Sequence, residues 1–115
     1  MKEPHLFQSD DVEWQPHPTL PGLRLKSLQN RSVSSLASVS LVEVAVGGEI
    51  VPHIHEESHE TAYILDGTAV LTIPSGEQHL KSGDGVTVPP RTLHALRNMG
   101  DSPCRILAVH MPPLF

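Results

Sequence analysis

Nowhere between residues 23 and 111 does the chain sustain apolar positions at i, i+3, i+4 and i+7 over a helical length, which argues against a helical core. Short apolar-rich runs are separated instead by Gly, Pro, Asp and Ser. The pattern predicts strands over 23–28, 39–46, 50–55, 60–65, 68–73, 86–88, 94–97 and 105–111. Turn signals fall between them at Gly47-Gly48, Asp66-Gly67, Gly83-Asp84-Gly85 and Pro89-Pro90. The Asp66-Gly67 pair favours a tight hairpin, because Gly accepts positive φ. The fold class is therefore all-β, a sandwich or a barrel. A chain of 115 residues forms one domain with one core. Aromatics make up only 3% of it, so that core must rest on Val, Leu, Ile and Ala. The Ser-rich stretch 32–40 carries Val33, Leu36 and Val39 and does not read as a linker.

Proline is concentrated at the start of the chain. Pro4, Pro16, Pro18 and Pro21 each remove a backbone donor and disfavour helix in the preceding residue. Residues 1–22 read as an extended arm, either a loose tail or a strap on its own barrel or a neighbour's. Residues 23–115 read as a single barrel.

Net charge is −5 with eight Lys and Arg, and none of these gathers into a basic cluster, which argues against a nucleic-acid partner. The lone Cys104 cannot form an internal disulfide, and residues 1–10 hold no apolar leader. The apolar runs fall far short of the roughly 20 residues that span a bilayer. The expectation is a cytoplasmic protein that stays off membranes.

Alternation along strands sorts the polar side chains, because residues two apart share a face. His53 and His55 project to one side. Glu60, Ala62 and Ile64 share a face, so an inward Ile64 carries Glu60 inward. His94 shares a face with Leu96 and Asn98. Three imidazoles and one carboxylate suit one divalent transition metal ion: Fe, Mn, Ni, Cu, Co or Zn. On a six-coordinate ion such a set leaves two positions open for substrate or dioxygen.

In two segments the chain resembles the cupin superfamily. Gly47, His53, His55, Glu60 and Gly67 fill the pattern G-x5-H-x-H-x4-E-x6-G. Gly83, Pro89, His94 and Asn98 fill G-x5-P-x-G-x2-H-x3-N, with Arg91 where the family usually has glycine. The resemblance implies a double-stranded β-helix, or jelly-roll barrel, with a metal in its mouth held by His53, His55, Glu60 and His94. It also implies a homodimer. A metal-dependent enzyme on a small organic substrate is the reading preferred, dioxygenase-type first, with decarboxylase, isomerase and lyase behind it. A binding or sensing module with a metal-lined pocket is the alternative, and a purely structural metal the third.

Other residues carry weaker signals. His110 alternates with Ala108 and Ile106 and so could line the cavity as a base or a second-layer partner. Tyr63 and Trp14 could orient a substrate, although Tyr63 falls opposite Glu60. Arg24 and Lys26 share a face and could attract a carboxylate; Arg91 could do so at the rim. His59 reads as exposed, and His5, His17 and His79 as surface residues. Cys104 reads as a small buried or edge hydrophobe.

Overall fold

The structure, a computed structural model, describes residues 3–18 and 20–115. Ten strands form in chain order: β1 (Gln15–Pro16), β2 (Leu23–Gln29), β3 (Ser38–Val44), β4 (Glu49–His53), β5 (His59–Asp66), β6 (Thr68–Ile73), β7 (Gly76–Lys81), β8 (Gly85–Val88), β9 (His94–Arg97) and β10 (Cys104–Met111). They make two antiparallel sheets, ordered β1-β2-β3-β10-β5-β8 and β4-β9-β6-β7. This is a double-stranded β-helix. Among the described residues no helix is long and apolar enough to cross a membrane.

β6 and β9 occupy the residues their alternation predicts, and six other strands differ from prediction by one or two residues at an end. Two strands carry no such signal. β7 pairs with β6 along its whole length at the edge of the smaller sheet. Its Glu77, Gln78, His79 and Lys81 face solvent and only Leu80 packs on the core, as an edge strand that must resist further pairing requires. β1 is two residues long and joins β2 through Gln15–Leu25 and Pro16–Arg24.

The described part of the arm packs on its own barrel. The His17 amide donates to the Leu23 carbonyl at 2.9 Å. His5 Nε2 donates to the Leu28 carbonyl at 2.9 Å, and Lys26 Nζ to the Ser9 carbonyl at 2.7 Å. The Arg24 guanidinium lies 4.5 Å and Lys26 Nζ 5.0 Å from the centre of the Trp14 ring. Arg24, Lys26 and Trp14 therefore belong to the outer face of the larger sheet.

Inward-facing alternate residues build the core: Leu23, Val44, Ile64, Ala69, Leu96, Cys104 and Ile106. Each large side chain among them contributes roughly 1.5–3 kcal/mol by leaving water. The core and the histidines take opposite ends of the barrel. At one end of β10, Cys104 pairs with Val44; at the other, His110 pairs with Ser38 and Glu60.

Three motif positions prove to be backbone devices. Gly67 has φ +84°, and a Cβ there would meet the Pro103 carbonyl oxygen at 2.7 Å, so no side chain fits. Asn98 is buried, donates Nδ2 to the Val44 and Ser102 carbonyls at 3.0 and 2.9 Å, and accepts the Gly100 amide at 2.9 Å. It ties the end of β9 to the following loop and to β3. Arg91 takes φ +58°, so the turn keeps the left-handed conformation that a glycine would adopt freely.

Candidate metal centre

Two cross-strand pairs face each other across the mouth of the barrel. His53 on β4 pairs with His94 on β9 in the smaller sheet. Glu60 on β5 pairs with His110 on β10 in the larger. His55 enters from the loop after β4, held by the Arg91 amide, which donates to the His55 carbonyl at 2.7 Å. One potential ligand atom from each of His53, His55, Glu60 and His94 lies within 4.8 Å of the others, close enough to hold one metal ion.

Hydrogen bonds settle which ring nitrogen faces inward. His53 Nδ1 lies 2.9 Å from the Val51 carbonyl and His94 Nδ1 2.9 Å from the Thr92 carbonyl. A carbonyl only accepts, so both Nδ1 atoms carry hydrogen and the Nε2 atoms are left to face the centre. Glu60 Oε1 lies 3.0 Å from His55 Nε2, 3.2 Å from His94 Nε2 and 3.4 Å from His110 Nε2. With Nδ1 already donating, a His94 Nε2 this near a carboxylate must carry a second proton or share a cation with it. The donor set fits a borderline divalent ion in that place.

The electrostatics follow the same geometry. Burial pushes the Glu60 carboxyl pKa up, but hydrogen bonds from His110, His55 and His94 outweigh it and hold the group well below the usual carboxylate range. The hydrogen bond to Glu60 raises the pKa of His94 against the effect of its burial, with the Thr92 carbonyl adding to the rise. Burial lowers that of His53, opposed by the Val51 carbonyl and assisted by charge on His94 and His55.

Behind the cluster lies a cavity of about 340 Å³ that reaches the core. His110 lines it and is buried, as its alternation with Ala108 and Ile106 predicts. Tyr63 does not reach it. The side chain stands on the opposite face of β5 from Glu60, 45% exposed, because the strand alternation that turns Glu60 inward turns Tyr63 out. Arg91 stays on the rim and gives Nη1 to the Glu56 carbonyl at 3.1 Å. His59 is exposed, and Cys104 is fully buried.

Sequence patterns miss part of the wall. His17 lines the cavity with Leu20, a correction to its reading as a surface residue. It sits between prolines, where no periodicity exists to show which way it points. Leu114 and Phe115 also line the cavity, held by the Leu114 amide on Ser38 Oγ at 3.0 Å and the Arg31 amide on the Phe115 carbonyl at 2.8 Å. A tail beyond the last strand carries no signal for this.

The chain belongs to the cupin family: the family's domain model matches residues 40–110, more than half of its length. It is 33% identical over 100 residues to the uncharacterized protein MJ1618 of Methanocaldococcus jannaschii, covering 85% of this chain and 80% of that one. It is also 33% identical over 67 residues to quercetin 2,3-dioxygenase of Bacillus subtilis, covering 58% of this chain but only 20% of that enzyme. A predicted oxalate decarboxylase from Thermotoga maritima shares the fold with a TM-score of 0.84 at 19% identity, over 93% of this chain and 98% of that one.

Proposed function

We propose that the chain is a metal-dependent enzyme that binds one divalent transition metal ion through His53, His55, Glu60 and His94 and acts on a small organic molecule, by dioxygenase-type chemistry as first choice. The observation that carries this reading is the pair of Nδ1 hydrogen bonds to Val51 and Thr92, which turn two Nε2 atoms toward Glu60. The ion, once bound, supplies Lewis acidity and, with a redox-active metal, dioxygen chemistry at the positions the protein leaves open. The rest falls to the chain's own residues. Glu60, ionised through the neutral range, balances one positive charge. His110 holds Glu60 from behind. The apolar wall excludes water from a bound molecule. The similarity to quercetin 2,3-dioxygenase supports oxygen chemistry ahead of decarboxylation, because the likeness to the Thermotoga protein is one of fold.

In this reading residues 1–22 form an arm on a 23–115 barrel, and its His17 and Leu20 complete the cavity wall. The outer face of the larger sheet sets Leu41, Leu107 and Tyr63 in one cross-strand row and Val39 beside Val109 in the next, which supports a homodimer paired through that face. A cytoplasmic location agrees with one free, buried cysteine.

The test is elemental analysis of untagged protein beside a His53→Ala, His94→Ala double variant, followed by turnover of small acids, catechols, thiols and sugar acids under oxygen. About one equivalent of metal, lost in the variant, with turnover of one class, is the expected result. Metal without turnover, but with a ligand-induced thermal shift, would make the chain a binding module. No metal taken up by either protein would end the reading.

A further inference from the structure

The cavity wall is chemically lopsided. Five of its polar residues, His53, His55, Glu60, His94 and His110, gather at the mouth. Beyond them, among the described residues, only Ser40 and His17 are polar, and the rest is aliphatic apart from Phe115. Among the described residues that line it there is no Lys or Arg. The cations that adjoin the lining in sequence are committed elsewhere: Arg24 and Lys26 lie against Trp14 on the outer face, Lys81 pairs with Asp84, Arg97 with Glu77 and Arg105 with Glu43, and Arg91 bonds the Glu56 carbonyl at the rim.

Charge then limits what can enter. A divalent ion with one carboxylate ligand carries a net +1, which one anionic oxygen group of a ligand neutralises. A second anionic group too far from the first to chelate the same ion, such as a phosphate or a remote carboxylate, would have to sit deeper among Leu71, Leu80, Leu96 and Ile106, with no counter-charge. Stripping water from an unpaired anion costs several kcal/mol, more than one extra contact returns. Length is limited too. From His110 to Ile106 on β10 is four residues, about 13 Å of strand, and the volume lies at the small end of the range for organic-ligand pockets.

We propose that the ligand is a small, mostly apolar molecule that brings a head group carrying one negative charge, such as an enolate, a phenolate or a singly ionised catechol, to the mouth and lays an uncharged body along Leu71, Leu80, Leu96 and Ile106. Dicarboxylates with well-separated carboxylates and sugar phosphates are excluded as ligands. The head-group half rests on the metal reading above; the apolar half rests on the cavity alone.

Two series separate the halves. Binding of 4-alkylphenols, methyl to pentyl, to metal-free protein reads the cavity by itself. Binding of 4-alkylcatechols to protein loaded with one equivalent of Ni(II) adds the head group. Isothermal titration should show affinity rising roughly fourfold per methylene in both series until the cavity is full. Glutarate and glucose 6-phosphate on the Ni(II) protein should bind more weakly than 4-ethylcatechol. Leu80→Ala, on the edge strand, should let the rise continue to a longer chain. A flat phenol series would overturn the apolar half. Glutarate or glucose 6-phosphate binding more tightly than 4-ethylcatechol would overturn the exclusion of a second, remote anionic group. Catechols no tighter than phenols, with a rising phenol series, would remove the metal reading and leave the cavity assignment standing.

Discussion

The Arg91 amide meets the His55 carbonyl at 2.7 Å, and this one bond joins the loop that delivers His55 to the turn that precedes His94. Arg91 makes it from φ +58°, a conformation that costs a residue with a Cβ about 1–2 kcal/mol. Arg91→Gly should therefore hold stability level or raise it by up to about 1 kcal/mol, since relief of strain is offset in part by glycine's freedom in the unfolded chain. Arg91→Pro, which fixes φ near −65° and lacks the donor, should lower both stability and metal retention. Urea denaturation and metal analysis of the two variants check this, and equal losses in both would refute it.

His110 Nε2 lies 3.4 Å from Glu60 Oε1, the oxygen that His55 and His94 also approach, and belongs to the strand paired with that of Glu60. Groups that orient a metal ligand are worth about 10–100-fold in affinity. His110→Phe should weaken metal binding by that factor, measured by competition with a chelator, and His110→Gln should recover part of it. Unchanged affinity in His110→Phe would show that Glu60 needs no such support.

On the outer face, Glu43 accepts from Arg24 Nε at 2.7 Å and from Arg105 Nε at 2.9 Å. The hydrogen bond from Arg24 lowers the Glu43 pKa below its ordinary 4.5, against burial and with help from Arg105. A depressed folded pKa means stability that is complete above the unfolded value, shrinks as pH falls and is gone below the folded value. Glu43→Gln should cost about 0.5–1 kcal/mol at pH 7, modest because both arginines are about half exposed. The gap to the parent protein should narrow as pH falls below 4.5 and close once the folded-state carboxyl is protonated, followed by urea titrations, and a gap that persists at the acid end would assign the loss to packing.

Cys104 is fully buried, and burial, reinforced by the charge on Asp66, pushes its thiol pKa up from 9.0 to about 11. The native thiolate fraction at pH 8 is then about a hundredth of that of a free thiol, before access is counted. Labelling by a disulfide reagent should proceed only at the rate of global unfolding. Fast labelling of the folded protein would show that this end of the barrel opens locally.

Much of the site is legible in the sequence because strands have a period of two. Once Ile64 and Ile106 are inward, Glu60 and His110 are inward, and the same rule puts Tyr63 outside. The readings weaken where that period fails. β7 alternates polar with polar, and its partner β6 supplies the reason it is a strand. His17 and Phe115 lie in segments without regular structure, so only tertiary contacts reveal that they face the cavity. Arg91 breaks the motif in identity while keeping it in conformation, which a pattern of letters cannot express.

The two ends of the barrel differ in what closes them. Leu23, Val44 and Cys104 close one end by apolar packing, which needs no ion to hold it. At the other, His53 and His94 belong to one sheet and Glu60 and His110 to the other, so polar side chains clasp the sheets there. A cation seated between them would act as a rivet. The barrel would then have a stiff floor and a mouth whose tightness depends on occupancy, and protection of the β9 and β10 amides from hydrogen exchange would register the difference between an empty and a filled clasp.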